Sequence, residues 1–129
     1  MPPIRARVLV VEDESIVAEI YRLALERAGC EVLVASDGID GLDMATTSSP
    51  DLIFLDIRLP GLDGIEILRA LAAGGHAGIP VIVLSNFDDP ALMRESLRLG
   101  AKEYLIKAGM SPAELPAIVA RWLLASSNE

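Results

Sequence analysis

Six side chains in this sequence share a chemistry: the acidic run Glu12-Asp13-Glu14, the separate Asp56, Ser85 and Lys107. A carboxylate such as Asp56 can act as a nucleophile toward phosphorus. Its attack places charge on the transferring oxygens, which a fixed cation such as Lys107 neutralises. Ser85 offers a small hydroxyl that can donate to a phosphoryl oxygen. Two carboxylates about 5 Å apart repel by roughly 3 kcal/mol at an effective dielectric near 20. Three of them therefore need more positive charge, or a raised pKa. A hard divalent cation meets that need, and Mg2+ suits a site with few carboxylates and several retained waters. Asp13 and Asp56 are the expected direct ligands, with Glu12 acting through a water. The backbone carbonyl of Arg58 adds a neutral oxygen.

Such residues act together only if the fold gathers them. Five short apolar runs punctuate the chain: VLVV (8–11), VLVA (32–35), LIFLDI (52–57), VIVL (81–84) and YLI (104–106). They are mostly continuous rather than alternating, which predicts strands buried on both faces of a parallel sheet. Helical segments lie between them. Ser15 to Ala28 sets Ile16, Ile20, Leu23 and Arg27 at helical spacing, and Gly29 follows as a stop. A second segment opens at Asp37-Gly38 and runs to about Thr47, weakened by Gly41. A third spans Gly64 to about Ala73, before Gly74-Gly75. Asp89 caps a fourth, with Pro90 at its first position and Gly100 at its end. Ser111-Pro112-Ala113-Glu114 reads as a capping box for the last, although Pro116 moves the regular helix toward Leu115. The order is βα five times over, which right-handed crossovers wind into one parallel sheet with helices on both faces. In such sheets the ligand site lies at the carboxyl ends of the strands, where strand order reverses. Glu12, Asp13, Asp56, Ser85 and Lys107 all fall at those ends.

The 129 residues suit one domain, and 52% hydrophobic content supports a core that is aliphatic, since aromatics make up only 4%. A net charge of −8 argues against unaided binding to nucleic acid or anionic lipid. The single cysteine, Cys30, forms no intrachain disulfide and fits a reducing compartment as a buried thiol. The apolar stretch at Val8 to Val11 is too short for a signal peptide or membrane span. A cytoplasmic protein of one domain, with its core over about residues 5–125 and no output domain, is the expectation.

The stretches VLVVEDE (8–14), DLIFLDIRLPGLDG (51–64), PVIVLSN (80–86) and GAKEYLIK (100–107) resemble the response-regulator receiver domain of two-component signalling. The likeness runs from Arg5 to about Ala125. It implies a flavodoxin-like (βα)5 fold with strand order 2-1-3-4-5. It also implies that Asp56 is phosphorylated, that Glu12 and Asp13 help hold Mg2+, and that Lys107 pairs with the phosphoryl group. Ser85 would move toward that group while Tyr104 rotates inward. Arg58 and Phe87, each two residues past a site residue, would tune access to the site. The donor would be a phosphohistidine on a sensor histidine kinase or histidine phosphotransfer protein. The output would be binding of a partner protein by the surface of the fourth helix, fifth strand and fifth helix, in a monomer or a phosphorylation-dependent dimer. Two positions depart from the family pattern. Ala108 stands where a proline after a cis bond is usual, and a cis bond before alanine costs roughly 3 kcal/mol or more. Asn86 stands where a smaller residue is common.

Other residues carry plainer readings. His76 lies in a glycine-rich loop, Trp122 is partial core, and Arg94, Arg98 and Lys102 form a solvated face able to dock a partner. The competing functions are a phosphatase of similar topology, a flavodoxin, and an unphosphorylated receiver-like binding scaffold. The phosphatase would need its nucleophile after strand one. The flavodoxin would need a Ser/Thr/Gly phosphate loop there, and neither pattern is present.

Overall fold

The computed structural model describes residues 3–127. Five strands alternate with five helices: β1 (Arg7–Val11), α1 (Ser15–Arg27), β2 (Glu31–Ala35), α2 (Gly38–Thr47), β3 (Leu52–Asp56), α3 (Gly64–Ala73), β4 (Val81–Ser85), α4 (Pro90–Arg98), β5 (Glu103–Ile106) and α5 (Leu115–Ser127). All strands are parallel, in the order β2-β1-β3-β4-β5. This is the flavodoxin-like arrangement expected from the sequence.

The continuous apolar runs divide between the two faces with period two. Val8, Val10, Leu52, Phe54, Ile82 and Leu84 pack toward α1 and α5, against Tyr21, Leu25, Leu115, Ile118 and Val119. Leu9, Val11, Ile53, Leu55, Val81 and Val83 pack toward α2 and α3, against Ala45, Ile67, Leu68 and Leu71. Every residue of β3 and β4 is buried. Cys30 is buried as expected, and that burial pushes its thiol pKa up.

Helix starts follow their caps. Asp37 accepts from the Asp40 N–H at 2.8 Å, and Asp63 with Glu66 closes a capping box. Asp89 accepts from the Ala91 and Leu92 N–H groups, with Pro90 at the first helical position. The Ser111/Glu114 box exists, but it caps a 3-10 turn over Pro112–Glu114, and the α-helix begins at Leu115. Gly29 ends α1 with φ +103°, a left-handed conformation that favours glycine.

Helical spacing alone left the buried face of α1 open. The helix α1 forms over the expected residues, yet Ile16, Ile20 and Leu23 face solvent, with Ile16 76% exposed. The buried face is Ala18, Tyr21 and Leu25.

Strand register sets where the strands stop. Val11 pairs with Leu55, Asp56 with Leu84, and Ser85 with Ile106. The four strands β1, β3, β4 and β5 thus end on one edge. Order reverses between β1 and β3, beside Asp56.

Candidate functional site

Asp56 is the last residue of β3 and only 6% exposed. Glu12 follows β1, and its N–H extends the sheet by donating to the Ala35 carbonyl at 3.0 Å. That places its carboxylate inside the edge, where it is 2% exposed. Asp13 stands beside it, exposed. One oxygen from each of Glu12, Asp13 and Asp56 lies within 4.8 Å of the others.

Lys107 leaves β5 at the same edge and answers this charge. Its Nζ donates to Asp56 Oδ2 at 3.0 Å and to Glu12 Oε1. Burial lowers the Lys107 pKa, but the bonds to Glu12 and Asp56 outweigh it, so the ammonium is held above its usual range. Glu12 is raised for a different reason. Burial pushes its pKa up, and the bonds from Lys107 and from the Glu14 N–H, at 3.1 Å, only partly offset that. Both Glu12 oxygens are engaged, whereas Asp13 is exposed and better placed for direct contact with a cation. The second Asp56 oxygen, Oδ1, accepts from the Arg58 N–H at 3.2 Å. Hard oxygens, a buried acid and a single balancing ammonium form a donor set suited to a small divalent cation.

Ser85 ends β4 fully buried, and its Oγ accepts from the Phe87 N–H at 3.0 Å. The Phe87 carbonyl accepts from the Tyr104 hydroxyl at 2.8 Å. The Phe87 ring lies 4.7 Å from the Arg58 guanidinium carbon, a cation–π contact across the two loops beside Asp56 and Ser85. Glu12, Asp13, Asp56 and Lys107 thus meet directly, and Ser85, Phe87 and Tyr104 form a second linked set that reaches Asp56 through Arg58. The loop after Lys107 resolves the question posed by Ala108: Lys107–Gly109 is a 3-10 turn, and every peptide bond among the described residues is trans.

Two features escaped the sequence reading. Tyr21 is buried on α1, its pKa raised by burial, and it feels the charges of Lys107, Glu12 and Asp56. The spacing Ala18-Tyr21-Leu25 carried the signal, but the Ile16-Ile20-Leu23 stripe competed with it. The Phe87 backbone, bonded to both Ser85 and Tyr104, has no sequence signature. Of the remaining residues, His76 is half-buried in its loop, and Arg98 and Lys102 are exposed, as is Arg94. Trp122 packs partly against the core and donates from its indole to Glu103. A groove of about 780 Å³ between α1 and the start of α5 contains none of the site residues.

Known proteins resemble this chain in sequence and fold. A family model described as the response regulator receiver domain matches residues 8–120. The alkaline phosphatase synthesis transcriptional regulatory protein PhoP of Bacillus subtilis is 40% identical over 88% of this chain and 46% of its own length. The DNA-binding response regulator MtrA of Mycobacterium tuberculosis is 34% identical over 100% of this chain and 55% of its own. The chain thus spans about half the length of these curated relatives. Among solved structures, the receiver domain of the Francisella response regulator 1452 superposes with TM-score 0.85 at 32% identity, covering 96% of this chain and 99% of that one.

Proposed function

Because the chain belongs to the response-regulator receiver family, matched over residues 8–120, we propose that it is a phosphorylation switch whose acceptor is Asp56. The observation that carries this is the buried Asp56 carboxylate, held at 3.0 Å by the Lys107 ammonium and gathered with Glu12 and Asp13 at one strand edge.

An Asp56 oxygen attacks the phosphorus of a phosphohistidine. The new O–P bond forms as the N–P bond breaks, and the imidazole leaves with the electron pair. Lys107 neutralises charge that grows on the transferring oxygens. Asp13, Asp56 and the Arg58 carbonyl would hold Mg2+, with Glu12 acting through a water. When bound, Mg2+ supplies the charge that lets carboxylate and phosphoryl group approach. Ser85 donates its hydroxyl hydrogen to a phosphoryl oxygen. Arg58 and Phe87 limit the approach of water to the acyl phosphate.

Tyr104 turns inward once Ser85 moves, which alters the face of α4, β5 and α5 for a partner protein. The acyl phosphate needs only to bias two states a few kcal/mol apart. The donor is a sensor histidine kinase or phosphotransfer protein, and the setting is cytoplasmic. No helix among the described residues is long and apolar enough to cross a membrane.

The test is mass spectrometry after incubation with Mg2+ and acetyl phosphate. A gain of one phosphoryl group that vanishes with a chelator and in Asp56→Asn supports the switch. No gain from acetyl phosphate or from any histidine kinase sinks it and leaves the binding scaffold.

A further inference from the structure

The loop from Ile57 to Asp63 carries Arg58, whose carbonyl is assigned to the cation and whose N–H holds Asp56 Oδ1. Its shape decides where that carbonyl stands. The Gly64 N–H at the start of α3 donates back to the Ile57 carbonyl at 2.8 Å, and within the loop the Leu62 N–H donates to the Pro60 carbonyl at 3.1 Å. A further anchor comes from a different element, the first turn of α2.

Gly38 opens that helix. Its N–H donates to the Pro60 carbonyl at 3.1 Å. Its α-carbon presses so closely on the loop that a Cβ would stand 1.5 Å from the Leu62 carbonyl oxygen. No side chain fits there unless loop and helix part. Ile39 lies over Gly61, where an added Cβ would meet its Cγ1 and Cδ1 at 3.3 Å. Ile39 is 63% exposed, so this clamp makes little contribution to the core.

We propose that Gly38 and Ile39 are positioning residues for the cation-binding loop, acting through Pro60–Leu62 on the Arg58 carbonyl. This rests on the reading of Glu12, Asp13, Asp56 and Arg58 as the Mg2+ site. Groups that orient metal ligands from behind change affinity even though they never touch the ion.

The full chain, with Gly38→Ala, Ile39→Ala and Ala45→Gly variants, is titrated with Mg2+ in a calorimeter, and each melting midpoint is measured without Mg2+. Ala45 is buried later in α2, within the core, so Ala45→Gly weakens the helix and its packing without removing the contacts of Gly38 or Ile39 to the loop. Gly38→Ala is expected to bind Mg2+ roughly tenfold more weakly and Ile39→Ala about threefold more weakly. Ala45→Gly is expected to melt earlier and bind as the parent does. If Gly38→Ala does not yield folded protein, Ile39→Ala decides. Parent-like affinity in Ile39→Ala overturns the inference, as does weakened binding in Ala45→Gly matched to its lower midpoint. If the parent chain itself binds no Mg2+, the reading of the site fails, and this inference with it.

Discussion

The Tyr104 hydroxyl donates to the Phe87 carbonyl at 2.8 Å, and the N–H of that same Phe87 donates to Ser85 Oγ at 3.0 Å. One residue's backbone thus stands between the hydroxyl that ends β4 and the aromatic on β5. If Tyr104 turns inward on phosphorylation, its bond to Phe87 breaks. Tyr104→Phe should then destabilise the resting protein by about 0.5–1 kcal/mol, near the low end for a half-exposed hydrogen bond. The same substitution should have a smaller effect on protein activated with beryllofluoride. Urea unfolding of both states checks this. Equal losses would show that Tyr104 keeps its partner throughout.

The Arg58 guanidinium over the Phe87 ring ties the loop after Asp56 to the loop after Ser85. An exposed contact of this kind contributes roughly 0.5–1 kcal/mol. Its removal in Arg58→Ala or Phe87→Ala should cause little change in melting, yet should open the acyl phosphate to water. The half-life of phosphorylated protein, followed by loss of mass or of label, should fall several-fold in either variant. The double variant should fall no further than the worse single one, because each removes the same contact. Unchanged half-lives would remove these two residues from the access role.

Charge in the acidic cluster trades stability for cation binding. Asp13 is exposed, so screening leaves only part of the roughly 3 kcal/mol repulsion that two close carboxylates feel. Asp13→Asn should make the metal-free protein more stable, by up to about 1 kcal/mol. It should also lose the stabilisation that Mg2+ gives the parent, about 2.7 kcal/mol at a hundredfold excess over Kd. Lys107→Ala should do the reverse: it leaves Glu12 and Asp56 without their ammonium, lowers stability at neutral pH, and is rescued by Mg2+. Melting curves with and without Mg2+ read both.

The strands and the edge they share were legible because continuous β-branched runs and regular βα spacing admit few windings, while the strand order rested on the resemblance to the receiver family. So was the acidic site, since it depends on which residues end those strands. The solvent face of α1 was not. Ile16-Ile20-Leu23 and Ala18-Tyr21-Leu25 both satisfy helical spacing, and only the sheet decides which one it covers. The same holds for Gly38, where sequence shows a helix-opening glycine. Its fit against Leu62 depends on a loop some twenty residues away. The Lys107–Gly109 turn was undetermined for a different reason: the family's proline is replaced by Ala108, so the family pattern did not carry over, and the trans 3-10 form is the one found.

Glu95 on α4 accepts from Arg98 on its own helix at 2.7 Å and from Arg69 on α3 at 3.1 Å. The bonds from Arg98 first, then Arg69, lower its pKa from the usual carboxylate value to about 2. A depressed carboxylate contributes stability above its unfolded pKa, near 4.5, and loses it as pH falls through the folded value near 2. The network should therefore favour the α3–α4 arrangement at neutral pH and lose its effect only in strong acid. Because the group is partly open to solvent, the contribution is small and salt should weaken it further. Glu95→Gln is expected to lower the urea midpoint modestly at about pH 7, with the gap to the parent closing toward pH 2 and narrowing in high salt. NMR titration of the Glu95 carboxyl gives the pKa directly. A midpoint gap that stays constant with pH would mean that the amide loses packing rather than charge, and the ionic link between α3 and α4 would carry no weight.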